Sequence, residues 1–175
     1  MAIVVEDGTG LATANSYASV TTADAYHSAR GNTAWTETST SPDQGKAAAL
    51  IRATAYIDAA YRGRFQGYRN NGRTQALEWP RMGVIDTQYF SVSSTAIPIE
   101  IVNATCEAAI REIASAGSLM ADLERGGEVR SLSAGSVSIE YGAGASASTV
   151  YPIIEGLLAG LIGGSSKIFA PAVRG

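Results

Sequence analysis

The feature that most constrains the fold is a helix start at Ser41-Pro42-Asp43-Gln44. Serine is a preferred N-cap, proline suits the first helical position, and a glutamine three residues after the cap completes a capping box. Apolar side chains then recur at spacings of three and four, which predicts an amphipathic helix ending near Arg62. The residues of this face are Ala47, Leu50, Thr54, Ile57 and Tyr61.

Three further helices are predicted. The first runs over about 22–30 with Thr21 or Thr22 as its cap, and the loop 31–41 follows, with Trp35 packed back on the core. Another begins near Pro98 and ends near Gly117, and the last covers about 150–162. The apolar face of the helix after Pro98 comprises Ile99, Val102, Cys106, Ala109, Ile110 and Ile113. The buried side of the last helix comprises Ile153, Ile154, Leu157, Leu158 and Leu161.

The remaining segments are not helical. Residues 63–95 are rich in glycine and polar side chains, which predicts an irregular excursion. Residues 128–141 alternate as in a β-hairpin that turns at Ala134-Gly135. The predicted fold class is therefore mainly α: a small helical bundle with a β-hairpin, an irregular central loop and an extended C-terminal arm. Residues 1–162 form the single domain, and residues 163–175 form a flexible linker and docking arm.

The composition argues against an enzyme or a metal protein. The chain has one cysteine, Cys106, and one histidine, His27, which exclude an internal disulfide and a His/Cys zinc cage. The turn-forming Glu-Asp-Gly-Thr-Gly at 6–10 lacks the residues of a phosphate or calcium loop. His27 and Cys106 are interpreted as packing residues. We expect no catalytic residue, no metal and no cofactor.

No segment predicts membrane insertion or export. The most apolar run, residues 150–162, is too short for a bilayer and is interrupted by Pro152, Glu155 and two glycines. The amino terminus lacks the basic start and apolar core of a signal peptide. The expected protein is a soluble, cytosolic chain without membrane contact.

The segment 61–81 is the strongest candidate for a binding role. Four aromatic residues alternate there with five arginines, Arg62, Arg64, Arg69, Arg73 and Arg81. Such a mixture suits a protein interface, a single-stranded-DNA surface with rings for base stacking, or a core whose rings are buried and whose arginines are solvated. The net charge of −3, with eleven arginines against two lysines, favours the interface over DNA. In that interpretation Trp79 anchors the loop, Pro80 stiffens it, and Arg81 pairs across or along an interface.

The C-terminal segment is the second candidate. Gly163, Gly164, Ser165 and Ser166 form a linker, and an apolar peptide follows it. A disordered terminus is the simpler interpretation, but an apolar peptide after a linker suits an arm that lies along another subunit. The predicted docking residues are Lys167, Ile168, Phe169, Ala170, Pro171, Ala172, Val173 and Arg174.

Several stretches together resemble one family of tailed-phage proteins, the head–tail connector (adaptor) proteins, which also carry the description DnaT-like single-stranded-DNA-binding proteins. The most specific are the Glu-Asp-Gly-Thr-Gly at 6–10, the Leu-Glu-Trp-Pro-Arg at 77–81 and the Leu-Glu-Arg-Gly-Gly at 123–127. The likeness extends in order over nearly the whole chain. The least similar parts are residues 142–150 and the final residues 167–175.

This resemblance implies a structural protein of the virion neck, assembled in the host cytoplasm. Its expected partners are further copies in a ring, commonly twelve-fold, the portal protein above it and a neck or tail-completion protein below. Genomic double-stranded DNA would pass through the lumen without specific binding, which suits an acidic chain. The alternative is a single-stranded-DNA-binding accessory protein that uses the segment 61–81.

Overall fold

The fold is built on two long helices that pack against each other. The computed structural model describes residues 2–36, 42–120, 131–134, 137–140 and 149–163. Within them, α3 (Pro42–Tyr61) packs mainly against α4 (Ile99–Ala114), and α4 also packs against α5 (Pro152–Leu158). The shorter helices α1 (Val20–Ser28) and α2 (Thr33–Thr36) contact α3 and α4 between them. The fold is mainly α, as predicted.

Helix α3 confirms the strongest prediction. It begins at Pro42, and every residue of its predicted apolar face is buried. Thr54, the polar member of that face, accepts a hydrogen bond from the backbone N–H of Tyr17 at 3.2 Å. The capping role of Ser41 lies outside the described residues.

Helix α1 begins earlier than predicted because another residue caps it. The Ser19 side chain, in extended backbone conformation, accepts the N–H of Thr22 at 3.0 Å, so the prediction of Thr21 or Thr22 as the cap is wrong. The loop predicted at 31–41 contains the single turn of α2. Trp35 lies in that turn, fully buried, and its indole N–H donates to Asp24 at 2.7 Å.

Two apolar faces differ from prediction. Ile99 and Ile153 are exposed, whereas Ile101, Ala104 and Ala108 are fully buried. Helix α4 contacts α1, α2, α3 and α5, so neighbours on several sides decide its buried face rather than one stripe. Helix α5 ends at Leu158, short of the predicted 162, because the chain then turns and extends.

Two small ladders complete the fold. In the irregular segment 63–95, β1 (Tyr68–Arg69) and β2 (Arg81–Met82) pair antiparallel, with a 3-10 turn at Gly72–Thr74 between them. The predicted hairpin is present as β3 (Ser131–Ala134) and β4 (Val137–Glu140), paired antiparallel with Ala134 opposite Val137. The predicted turn residue Gly135 lies outside the described residues.

Candidate functional site

The segment 61–81 is an excursion that leaves the end of α3 and folds back, so that its second half pairs with its first. Tyr68 pairs with Met82 and Arg69 with Arg81, which brings its two ends together. Gly67 lies at the start of this ladder with a φ of +64°, and a Cβ there would lie 2.2 Å from the carbonyl oxygen of Met82. Only glycine fits such a close approach in the left-handed region.

Trp79 and Pro80 hold this excursion to the core. Trp79 is fully buried, and its ring meets the edge of Phe65 with centroids 5.6 Å apart. Its backbone N–H donates to the hydroxyl of Tyr17 at 3.0 Å. Pro80 follows through a cis peptide bond, and its carbonyl accepts a hydrogen bond from the buried Gln75 side chain at 3.0 Å. These contacts tie the excursion to the core, and the anchoring role of the two residues stays a prediction.

Arg81 is an internal strut rather than an exposed cation. It is only 6% exposed. Its guanidinium donates to the backbone carbonyls of Gln66 and Gly67, both at 2.7 Å, and pairs with Glu78 at 2.9 Å. One planar group thus ties both sides of the excursion together, which a lysine ammonium cannot reproduce. Arg81 pairs along its own loop.

A buried carboxylate joins the excursion to α3 and to the amino-terminal segment. Asp58 accepts the Tyr17 hydroxyl at 2.5 Å and the backbone N–H of Glu78 at 3.1 Å. Burial raises the pKa of Asp58 to about 6, against the lowering effect of these hydrogen bonds. Burial and the charge of Asp58 also raise the pKa of Tyr17 well above its usual range. This cluster is a structural junction that lies away from solvent.

The other four arginines of the segment lie nearer the surface. Arg62 pairs with Glu78 at 2.8 Å, and Arg64 makes two hydrogen bonds of 2.8 Å to Glu155 of α5. Arg69 donates to the backbone carbonyl of Gln75 at 3.2 Å, and Arg73 is exposed. Three of these four arginines therefore have partners within their own chain.

The aromatic rings of the segment are mostly part of the core. Tyr61, Phe65 and Trp79 are buried, and only Tyr68 is exposed, at 65%. Bases stack on rings that they can reach. The segment therefore offers one accessible ring among four, which matches a packed core better than a stacking surface.

The most exposed rings lie elsewhere, in residues 84–92, termed here the aromatic loop. Tyr89 is 90% exposed and Phe90 67% exposed, and Ile85 beside them is also exposed. Sequence analysis missed this feature because two adjacent aromatic residues in an irregular segment carry no periodic signal. The signal that could have found it is Asp86, a turn former three residues before Tyr89.

The Glu-Asp-Gly-Thr-Gly stretch is a turn, as predicted, and its own first residue fills it. The buried carboxylate of Glu6 accepts the backbone N–H groups of Gly8, Gly10 and Leu11 at 2.8–3.0 Å. A Cβ at Gly8 would lie 2.3 Å from the carbonyl oxygen of Thr95. The backbone N–H groups of this loop are therefore bound by the Glu6 carboxylate of the same loop, and Gly8 packs closely against Thr95.

His27 and Cys106 lie together in the core. His27 donates through Nε2 to the carbonyl oxygen of Cys106 at 3.2 Å and accepts the Asn32 amide at Nδ1 at 3.0 Å. Burial lowers the pKa of His27 and raises the pKa of the Cys106 thiol to about 12. The hydrogen-bond partners of this imidazole are a carbonyl and an amide, which suit packing rather than base catalysis.

Two features of the described residues bear on ligands and membranes. No group of three or more His, Cys, Asp or Glu side chains among them is placed to hold a metal ion. Among the helices of the described ranges, none is long and apolar enough to cross a membrane. The predicted docking residues 167–174 lie outside the described residues.

Comparison with known protein families gives a match over the whole chain. The model of the family described as "Putative DnaT-like ssDNA binding protein" matches residues 1–175. The chain belongs to this family. No curated protein and no solved structure matches it. The match confirms the family description under which the resemblance was identified, and the adaptor role stays a prediction.

Proposed function

We propose that the chain is a structural head–tail adaptor of a tailed bacteriophage, without catalytic activity. Copies form a ring, twelve-fold in the form that the resemblance implies, which attaches to the portal protein and extends the DNA channel toward the tail. A neck or tail-completion protein binds its far side. The protein is made in the host cytoplasm and ends in the neck of the virion.

The observation that carries this proposal is that the rings and arginines of the segment 61–81 mostly make contacts within their own chain. Three of its four rings are buried, and four of its five arginines contact carboxylates or carbonyls of the same chain. DNA affinity depends strongly on cations that are free to meet phosphates. A chain of net charge −3 that satisfies its arginines internally suits a ring through which DNA slides.

Subunit contacts are assigned to the solvent-facing arginines. Arg62 and Arg64 keep exposed surface beyond their internal ion pairs, and Arg73 is exposed. Arg69 is half-buried and adds to the same surface. An exposed guanidinium such as that of Arg73 is suited to a planar, bidentate pair with a carboxylate, and such a pair with a neighbouring copy would fix register as well as affinity. Trp79, Pro80 and Arg81 support this surface from inside.

Portal attachment is assigned to residues 167–174. Their apolar members Ile168, Phe169 and Val173 follow a Gly/Ser linker that starts at Gly163, where the described chain ends. Gly163 is fixed to the body by a hydrogen bond from its N–H to the carbonyl of Arg64 at 2.8 Å. The arm would thus begin at a defined point of the body.

Co-sedimentation with the portal ring of the same genome tests the proposal. The full chain should pellet with the portal, and a chain cut after Gly164 should not. Phe169→Ser should weaken binding, whereas the matched linker change Ser166→Ala should leave it intact. Binding that survives the cut would move the contact to the body, and no binding by the full chain would overturn the adaptor role.

A second function, single-stranded-DNA binding, is favoured by the family description. The exposed rings of Tyr68, Tyr89 and Phe90 offer stacking surface for it. Its test is the fluorescence anisotropy of a labelled oligonucleotide titrated at low and high salt. Binding that weakens steeply with salt would support this function, and a flat signal at low salt would exclude it.

A further inference from the structure

A cavity of about 310 Å³ lies where the aromatic loop meets the start of α4 and the chain that follows α5. It is termed here the α4 cavity. Part of its lining is apolar, from Val92, Ile97, Pro98 and Leu161, and part is acidic, from Asp86 and Glu100. Val92 and Ile97 are only partly buried against the core, so apolar surface of both stays open to a further side chain.

The two carboxylates give the α4 cavity a negative charge. The side chain of Glu100, in the first turn of α4, has no hydrogen bond or ion pair with any residue that the structure describes. Asp86 accepts the N–H groups of Gln88 and Phe90 through Oδ1, both at 2.8 Å, which leaves Oδ2 for another donor. None of the lining residues is basic, and no lysine or arginine occurs from residue 82 to residue 110. A ligand for this cavity therefore combines apolar groups with positive charge.

The C-terminal segment 167–174 of the same chain has this composition. Lys167 and Arg174 stand at its two ends, and its large apolar residues lie between them: Ile168, Phe169 and Val173. In a chain that has not yet met a partner, these apolar side chains would remain in water unless something covered them, which is unfavourable and promotes aggregation. A cavity on the body that fits them removes that cost.

The segment also begins beside the cavity. Gly160 and Leu161 line the cavity, and Gly163, two residues later, is fixed by a hydrogen bond from its N–H to the carbonyl of Arg64 at 2.8 Å. Two residues span at most about 7 Å, so the chain leaves the body close to the cavity. Six residues then lead to Phe169, and a linker of that length rich in glycine and serine has an r.m.s. span of about 12–15 Å. The segment is therefore long enough to turn back and bring Phe169 to the cavity.

Attachment favours the chain's own C-terminal segment over that of another copy. A short linker holds a tethered segment at an effective concentration in the millimolar range. The segment of a second copy would have to reach that concentration in solution before it could compete. In the free protein the occupant is therefore the segment of the same chain.

We propose that, before assembly, the C-terminal arm folds back on its own body, with Phe169 in the α4 cavity and Lys167 paired with the carboxylates of Asp86 and Glu100. This contact rests on the docking role assigned to residues 167–174 under the proposed function, and it places an internal competitor against the portal. The arm stays covered until a portal site that binds it more tightly draws it out. Premature capture of the arm by weaker apolar surfaces is thereby suppressed.

Fluorine NMR of the full chain labelled with para-fluorophenylalanine tests the contact, because the chain has three phenylalanines in different settings. Phe65 is buried and reports folding, and Phe90, which is 67% exposed, is the reference for a ring in water. Phe169→Leu identifies the third resonance. A docked Phe169 should give a broadened resonance that is displaced from that of a labelled free peptide with the sequence of residues 167–174.

A charge exchange separates docking from mere proximity. Glu100→Lys and Lys167→Glu should each move the Phe169 resonance to the free-peptide position and leave that of Phe65 unchanged. The two changes together should restore the docked position, because the ion pair is rebuilt with its charges exchanged. Ala55→Lys adds a positive charge at an exposed position of α3 outside the cavity lining, and as the control it should leave Phe169 docked.

Portal binding gives the second readout. Glu100→Lys frees the arm, so it should raise the apparent affinity for the portal ring in co-sedimentation. The increase should be about tenfold for an arm that is docked about nine-tenths of the time. Ala55→Lys should leave the affinity unchanged.

The outcomes separate this contact from the adaptor role. A wild-type Phe169 resonance at the free-peptide position would overturn the contact, as would a displaced resonance that both charge variants leave in place. A displacement that grows with protein concentration would show the arm of another copy and would also overturn it. Portal binding by a chain whose Phe169 is undocked in the free state would remove the contact and keep the adaptor. Charge-dependent docking in a chain that never pellets with the portal would keep the contact and remove the adaptor.

Discussion

Replacing Trp79 with alanine should destabilise the whole fold. The side chain is fully buried against Phe65, and its backbone N–H is bound by Tyr17, which is itself bound by Asp58. Truncation removes a fully buried ring from the core beside Phe65. The exposed Arg73 in the same segment is the matched control, because its truncation opens no space in the core.

The expected magnitude follows from the buried area. A buried tryptophan covers roughly 150–250 Å², worth about 4–6 kcal/mol at about 25 cal/mol per Å². Measured truncations of large aromatic residues cost about 3–5 kcal/mol, so we expect a loss of about 4 kcal/mol in the free energy of unfolding. For a chain of this length that corresponds to a fall of about 8–16 °C in Tm.

Urea unfolding followed by circular dichroism, with thermal melts beside it, measures this loss. Trp79→Ala should lower the urea midpoint with little change in slope, and Arg73→Ala should leave the free energy of unfolding within about 0.5 kcal/mol of wild type. A loss below about 1 kcal/mol for Trp79→Ala would refute the anchor role. So would equal losses for the two variants.

Three further predictions concern buried polar groups. Arg81→Lys should lower the free energy of unfolding by about 2–4 kcal/mol in urea titrations, because an ammonium cannot reach two carbonyls and Glu78 together; an unchanged midpoint would contradict the strut. Glu6→Ala should cost about 2–3 kcal/mol, measured in the same way, because three backbone N–H groups lose their acceptor; Asp7→Ala in the exposed part of that turn should cost less. The raised pKa of Asp58, about 6 in the folded chain, means that the folded state binds the extra proton, so this group should add about 2–3 kcal/mol of stability as the pH falls from 7 to 4. Comparison of wild type with Asp58→Asn across that range checks the sign, since the variant should lack this contribution.

The sequence predicted those elements whose signals are local. Helix α3 is predicted by the sequence of a capping box followed by an unbroken apolar face. The hairpin β3–β4 is predicted by the strict alternation of apolar and polar residues. The start of α1 was misplaced because Ser19, the actual cap, lies within four residues of Thr21 and Thr22, which are also of a type that caps helices. Only the backbone conformation at Ser19 distinguishes them.

The partners of the charged residues could not be predicted, since the contacts are set by the tertiary fold. Arg64 meets Glu155, which lies 91 residues later in the chain. The buried face of α4 likewise depends on four neighbouring helices, so one stripe with a period of 3.6 residues mispredicted Ile99. The exposure of Tyr89 and Phe90 follows from a turn around one aspartate, which periodicity does not detect.

The segment 161–163 that follows α5 also affects the order in which the fold can be completed during synthesis. Ile162 bridges to Phe65, and the Leu161 carbonyl accepts the N–H of Gln66, so the last described residues cover the core that Trp79 occupies. The ribosome adds the intervening eighty or so residues in roughly 4–17 s at about 5–20 residues per second. During that interval we expect Phe65 and Trp79 to lack this cover, which leaves aromatic surface of the kind that chaperones bind. A chain that ends before Ile162 lacks the bridge to Phe65, and we expect the core around Phe65 to stay less covered in it.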